Sequence, residues 1–139
     1  ILEEPIPIYG DGLNIRDWLF VEDHIDALLL AIIFGDIGDS YCIGGGEEKT
    51  NKDVVHKICK YLDTKLHPKN SYLTQINYVD DRPGHDYRYS IDSSLIQNKL
   101  GWKPSHDFDL ALLKTIDWYI KYKDWWKNLY ISERLGNLK

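Results

Sequence analysis

Methionine is absent from this sequence, and cysteine occurs only twice, at Cys42 and Cys59. Two thiols cannot build a disulfide framework, and neither lies in a metal-ligand spacing. Both are read as reduced thiols, so the expected location is cytoplasmic. Long apolar runs are missing too. The longest, Ile25 to Phe34, is broken by Asp26 and falls short of the ~20 residues a membrane span needs, so no membrane partner is expected. No signal-peptide pattern opens the chain. It starts at Ile1 without methionine, and the expectation is a chain that begins inside a longer reading frame or was trimmed before Ile1. Excess basic charge is lacking as well: the net charge is -5 and the pI about 5.5. A nucleic-acid binder needs a basic stripe to track phosphates, so no nucleic-acid partner is expected.

Two chemical signatures are also missing. No Gly-x-Gly-x-x-Gly pattern joins a strand to a helix, the turn that lets backbone approach a dinucleotide pyrophosphate. Gly44-Gly45-Gly46 lacks that spacing. No Tyr-x-x-x-Lys pair is expected either: Tyr119 and Lys123, spaced by four, are not read as one, and Tyr122 has Trp126 at the lysine position. His24, His56, His67, His85 and His106 are scattered without ligand pairs, which argues against a metal site. Ser90, His85 and Asp86 crowd together in sequence without a nucleophile elbow, which argues against a catalytic triad.

What is present suits one small domain. The chain has 139 residues, 43% of them hydrophobic, with five Trp, ten Tyr and three Phe. That is ample for a core, though a chain of this size buries a modest fraction of its surface. Prolines make Pro5 to Tyr9 extended, and Gly10-Asp-Gly12 turns the chain. Asn14 to Val21 reads as a strand. Glu22 and Asp23 place negative charge at a helix start, and Ile25, Leu28, Leu29, Ile32 and Ile33 follow at helical spacing up to Gly35. Ser40 to Ile43 reads as a second strand. Thr50 and Asp53 resemble a capping box opening a helix with Val54, Val55, Ile58, Cys59 and Leu62 on one face. Ile76 to Val79 is a third strand. Asp92 or Ser93 caps a short helix carrying Leu95, Ile96 and Leu100, stopped by Gly101 and Pro104. A last helix runs from about Asp107 to Lys127, with Leu112, Leu113, Ile116, Tyr119 and Ile120 as its buried stripe. From Tyr130 the tail is polar and expected to fray. Short strands alternating with helices, without internal repeats, give a small mixed α/β domain over 1–129.

Three polar clusters are candidates for chemistry, each with a structural alternative. Tyr9 and Arg16, across the Gly10–Gly12 turn, suit a base and a phosphate through an aromatic face and a planar guanidinium fork. Alternatively, Tyr9 is a half-buried strand residue and Arg16 pairs with Asp17 or Glu22. Asn51 sits where a helix N-terminus offers backbone N–H groups to an anion, or simply where Thr50 or Asn51 caps the helix. In Arg82-Pro-Gly-His85-Asp86 a tight turn brings Arg82 and His85 to one side of a loop after a strand. The neighbouring acids equally suit ion pairs with Arg82 and Arg88.

Together and in this order, the clusters resemble a known family. Pro5-Ile-Pro-Ile-Tyr-Gly-Asp-Gly-Leu-Asn-Ile-Arg-Asp-Trp-Leu-Phe-Val-Glu-Asp-His24 is similar to the C-terminal part of extended short-chain dehydrogenase/reductase enzymes acting on nucleotide sugars. Asp81-Arg-Pro-Gly-His-Asp-Tyr-Arg-Tyr89, with Ile91-Asp92 and Leu100-Gly-Trp-Lys-Pro104, narrows the resemblance to dTDP-glucose 4,6-dehydratase over Ile1 to about Leu129. Cys42 stands where that family often has Asn, and Gly46 and Glu47 also depart from its common residues. The resemblance implies substrate-binding roles: Pro7 and Tyr9 at the base, Arg16 at the pyrophosphate, Asn51 at the nucleotide, Arg82 and His85 at the phosphate and ribose. It implies a dTDP-sugar as substrate in deoxysugar biosynthesis and NAD as cofactor of the complete enzyme. There NAD oxidises C4 of the sugar, water leaves across C5–C6, and the hydride returns to C6. The Rossmann half and the catalytic residues belong upstream in that family, so no catalytic or cofactor-binding residue is expected here. The missing half would have to be supplied in cis or in trans. By itself the chain is expected to be inactive and prone to a non-native homo-oligomer. The alternatives are a non-catalytic binding or interaction module, or the same domain of another nucleotide-sugar dehydratase or epimerase.

Overall fold

The structure is a computed structural model that describes residues 1–2 and 4–129; the expected tail from Tyr130 lies outside the described residues. Two short ladders organise the chain. Strand β1 (Ile6–Tyr9) runs parallel to β4 (Ile76–Val79), Ile6 opposite Ile76 and Tyr9 opposite Val79. Strand β2 (Ile15–Trp18) is antiparallel to β3 (Glu47–Thr50), Ile15 opposite Thr50. Between them lie helices α1 (Val21–Phe34) and α2 (Asn51–Leu66). After β4 come α3 (Ser94–Leu100), α4 (Phe108–Lys121) and α5 (Lys123–Leu129). The expected mixed α/β class holds.

Helix α2 starts where its cap residues put it. The Thr50 hydroxyl oxygen accepts from the Asp53 N–H at 3.1 Å and donates to the Asp53 carboxylate at 2.7 Å. This is half of a capping box, because the acid bonds the hydroxyl and not the Thr50 N–H. The helix buries Val54, Cys59 and Leu62. Cys59 and Leu62 meet Tyr72 and Ile116 in one core, flanked by Ile6 of β1 and Ile76 of β4. A second core gathers Ala27, Ile96 and Trp102, with Tyr41 and Ile43 packed against it. Gly101 ends α3 at φ 67°, the left-handed geometry that suits glycine.

Three expectations need correction. The strand expected over Asn14 to Val21 pairs only from Ile15 to Trp18, because β3 is four residues long and Val21 already opens α1. Ser40 to Ile43 forms no strand. Tyr41 and Ile43 pack inward while Ser40 and Cys42 are exposed, the alternation of a strand, but no backbone group of 40–43 bonds to another described residue. A strand without a neighbour has no ladder. The last helix breaks at Tyr122. The Trp126 indole donates to the Tyr119 carbonyl at 2.7 Å, removing the acceptor that a continuing helix needs; Tyr119, expected inside, is 47% exposed.

Helix α1 forms over the expected spacing and turns its apolar stripe outward. Its buried residues are Asp23 and Ala27, while Ile25, Leu28, Leu29, Ile32, Ile33 and Phe34 stand in solvent, Ile32 at 79% exposure. The apolar stripe is helical as expected, yet it points away from both cores.

Asp23 is 2% exposed and serves as a capping hub. Its carboxylate accepts from the Ser105 N–H (3.1 Å) and hydroxyl (2.7 Å), the His106 N–H (3.3 Å) and His106 Nδ1 (2.9 Å). Burial pushes its pKa up, but these four donors outweigh it and hold the group at about 2 against an ordinary 3.8. A depressed carboxyl stabilises the fold above its unfolded pKa and loses that contribution as pH falls through the folded one; the shift corresponds to about 2 kcal/mol. Asp23→Asn turns an amide toward donors and is expected to cost about 2–3 kcal/mol near neutral pH. Urea unfolding of both proteins at pH 6 and at pH 2–3 checks this: the gap should narrow on the acid side, and an unchanged gap contradicts it.

Candidate functional site

The candidate site lies where the end of β1, the start of β2 and the loop after β4 converge. Tyr9 closes β1 and is 44% exposed. Gly10 and Gly12 follow at φ 57° and 74°. A Cβ on Gly12 would meet Ile8 Cγ2 at 2.7 Å and one on Gly10 would meet Asp81 Oδ2 at 3.2 Å, so the turn needs glycine for conformation and for space. The turn delivers the chain to Ile15, whose N–H donates to Tyr87 O at 2.7 Å while its carbonyl accepts from the Tyr89 N–H at 3.1 Å. The loop after β4 is thereby laid along β2.

Arg16 crosses to that loop. Its Nη1 donates to Ile15 O at 2.6 Å and Tyr87 O at 3.5 Å; its Nη2 donates to Asp86 O at 3.0 Å and to His85 Nε2 at 2.8 Å. The guanidinium also lies over the Tyr89 ring, 4.4 Å from its centroid, a favourable cation–π contact. Neither Asp17 nor Glu22 pairs with it among the described residues. His85, with a side chain only 6% exposed, bonds Asp81 Oδ1 through Nδ1 at 2.7 Å. Its ring meets the edge of Tyr9 at 6.4 Å. Hydrogen bonding to His85 holds the Asp81 carboxyl below the usual carboxylate range.

The structure therefore brings Tyr9, Arg16 and His85 into one contact group. Arg82 is on the same loop and exposed, and its guanidinium has no hydrogen-bond or ion-pair partner among the described residues. Arg88 differs: it is held bidentately by Glu48 of β3, at 2.7 and 2.5 Å, not by the acids beside it in sequence. Pro7 lies two residues before Tyr9 in β1, on the same strand face, and is exposed. Asn51 is tied to the turn through backbone, its N–H donating to Asn14 O at 3.0 Å while Lys52 N–H donates to Gly12 O at 3.0 Å. With Asp53 N–H bonded to Thr50, the first three N–H groups of α2 are already engaged, so the helix start is not an open anion site. The Asn51 side-chain amide makes no hydrogen bond among the described residues.

Sequence reasoning missed Tyr89, Asp81 and Asn14. The Asp81–His85 spacing of four was visible. No local pattern signals that Tyr89 lies beneath Arg16 or that Asn14 donates to Asp86 O, because both pairings span more than 70 residues.

Two features bear on a cofactor. Gly44 and Gly45 allow close packing: a Cβ on Gly44 would meet Asp17 Oδ2 at 2.5 Å and one on Gly45 would meet Trp18 O at 2.1 Å. They bring backbone against β2 and form no phosphate cradle, so these residues do not fit a dinucleotide. The expectation that no Tyr-x-x-x-Lys occurs is wrong as a matter of spacing, since Tyr61–Lys65 and Tyr119–Lys123 both have it. Tyr61 and Lys65 both bond Asp117, at 3.0 and 3.3 Å, remote from the Arg16 group, and Tyr119 stacks within the aromatic cluster of Trp118 and Trp126. Helical spacing alone produces such pairs. A cavity of about 600 Å³ opens between the start of α1 and α4, lined by Trp18, Phe20, His106, Phe108 and Trp118; it includes none of the expected site residues and is mainly apolar.

Comparison with known proteins gives the chain's relatives. The dTDP-glucose 4,6-dehydratase of Neisseria meningitidis is 46% identical over 98% of this chain, which spans 41% of that relative's length. The crystal structure of dTDP-glucose 4,6-dehydratase from Bacillus anthracis in complex with NAD superposes with a TM-score of 0.78 at 41% identity, over 91% of this chain and 38% of that one. The Streptomyces venezuelae dTDP-glucose 4,6-dehydratase gives 0.81 at 35% identity, over 91% and 37%. The model of the GDP-mannose 4,6 dehydratase family matches residues 2–115, which take in Pro7, Tyr9, Arg16, Asn51, Arg82 and His85. The chain belongs to that family.

Proposed function

We propose that residues 1–129 are the nucleotide-sugar-binding part of a dTDP-glucose 4,6-dehydratase, whose complete form converts dTDP-glucose to the 4-keto-6-deoxy sugar with NAD. The observation that carries this reading is the convergence of Tyr9, Arg16 and His85 from three separated segments beside the unengaged Arg82. An aromatic ring, a guanidinium and amide groups are what a nucleoside diphosphate requires. Arg82 is the free cation for phosphate; four of the five Arg16 donors are engaged within the chain, leaving its Nε–H. Pro7 and Tyr9 would border the base, and Asn51 offers its amide to the nucleotide. Two reduced thiols, Cys42 exposed and Cys59 buried, agree with a cytosolic setting.

Catalysis belongs to the part of the relatives that this chain does not span. Gly44 and Gly45 pack against β2, and Tyr61 and Lys65 are held by Asp117, which leaves the Arg16 group as the feature suited to a binding role for the chain taken alone. The apolar face of α1 fits the surface that the complementary half covers. Burying one Ile, Leu or Phe fully is worth about 1.5–3 kcal/mol, so the exposed Ile25, Leu28, Leu29, Ile32, Ile33 and Phe34 on one helix favour association.

Three outcomes follow. Calorimetric titration with dTDP should show weak or undetectable binding by the isolated chain, and Arg82→Ala should weaken any binding seen; micromolar or tighter affinity contradicts the shared-pocket reading. A dehydratase assay supplied with NAD and dTDP-glucose should show no turnover, and product formation would place catalysis in this chain. Light scattering at high concentration should show self-association, against which a strictly monomeric profile would count.

A further inference from the structure

His85 is wholly engaged. Its side chain is 6% exposed, Nδ1 faces Asp81 at 2.7 Å and Nε2 faces Arg16 at 2.8 Å. Arginine only donates, so Nε2 must accept, and the ring proton must sit on Nδ1 and be donated to Asp81. The orienting hydrogen bond at one nitrogen thus sets what the other can do. If Nδ1 lost its acceptor, the proton would be free to move to Nε2, placing N–H against N–H and driving Arg16 away.

Arg16 in turn is fixed on every side but one. His85 and the carbonyls of Ile15, Asp86 and Tyr87 take its terminal nitrogens, and the Tyr89 ring supports its plane. Gly10 lets Asp81 approach, since even a Cβ there would sit 3.2 Å from Asp81 Oδ2. Such a guanidinium cannot wrap a phosphate freely; it presents a rigid positive plane whose orientation is set by the ring that holds it. Rigid placement before binding raises affinity by removing the ordering cost.

We infer that Asp81 is a positioning residue of the nucleotide site: it fixes the His85 tautomer that holds Arg16 over the Tyr89 ring, and so pre-orients the cation toward a nucleoside diphosphate. This rests on the reading of the site given above and adds a residue that touches neither base nor phosphate.

Nitrogen-15 NMR of the histidine side chains in the ligand-free 139-residue chain reads the tautomer directly. His85 should be protonated at Nδ1 and unprotonated at Nε2. Asp81→Asn keeps a carbonyl acceptor and should retain that signature, whereas Asp81→Ala should lose it. The functional arm uses a chimera in which this chain replaces the matching part of the Neisseria meningitidis relative, titrated with dTDP. Asp81→Ala should weaken dTDP binding about tenfold, the size expected for losing a hydrogen bond to a charged group, and Asp81→Asn should restore it to within about threefold. An Nε2-protonated His85 in the wild-type chain overturns the inference. So does unchanged dTDP affinity in Asp81→Ala while the wild-type chimera binds, an outcome that leaves the reading of the site intact. A wild-type chimera that binds no dTDP removes the site reading, and the positioning role falls with it.

Discussion

Ile15 lies between two neighbouring segments: it stands opposite Thr50 of β3 on one side, where the adjacent Asn14 carbonyl accepts from the Asn51 N–H, and on the other its own N–H and carbonyl exchange hydrogen bonds with Tyr87 and Tyr89. The rest of the site depends on that double attachment. Through β3 it places the start of α2, and with it Asn51, beside the Gly10–Gly12 turn. Through Tyr87 and Tyr89 it lays the loop from Asp81 to Tyr89 along β2, so that Arg16 reaches His85 and Asp86 without spanning open solvent. Backbone ladders of this kind supply register, while the guanidinium and imidazole supply the chemistry. A slip of one residue at Ile15 would turn Arg16 to the opposite face and dismantle the group.

Half the molecule closes on itself and half does not. Around Cys59, Leu62, Tyr72 and Ile116 the core is continuous with both strands of the β1–β4 ladder. Around Ala27 the packing is thinner, and Asp23 compensates with a carboxylate that binds four donors from the Ser105–His106 turn. A buried charge is tolerable only when its lone pairs are filled. The same helix leaves its outer stripe in solvent, next to a 40–43 segment that has the side-chain alternation of a strand and none of its hydrogen bonds. Both features leave apolar surface uncovered among the described residues of a chain that spans 38 to 41% of the proteins it resembles.

Much of the local structure was legible because it depends on local rules. Thr50 and Asp53 open α2, Gly101 closes α3, and the Gly10–Gly12 turn has the positive φ its glycines suggest. What escaped depends on partners distant in sequence. Ser40 to Ile43 carries β-branched and aromatic character, but a strand exists only when a neighbour accepts its backbone bonds. The stripe on α1 gave the helix correctly and its outward direction not at all, since periodicity says which residues share a face and nothing about what covers it. At Tyr122 the helix was lost to one indole N–H competing for a carbonyl, a contest that propensity does not register. Arg88 was open to its sequence neighbours Asp80, Asp81 and Asp86; Glu48, 40 positions away, took it with a bidentate geometry.

The arginines show why residue type alone could not settle the site. Arg16, Arg82 and Arg88 carry the same charge, and the sequence offers acids near each. In the fold their donors have separate fates. Arg88 is neutralised by Glu48, and exposed pairs of that kind contribute little to stability while still removing a cation from the field a ligand would meet. Arg16 bonds neutral carbonyls and an imidazole acceptor, so its geometry is fixed without its charge being cancelled. Arg82 keeps both its charge and its freedom. A dianionic phosphate group approaching this surface therefore meets one rigid and one mobile positive group that are not already paired with carboxylates. That difference, set by which partners the fold brings close, is what turns a loop of mixed charge into a candidate diphosphate site.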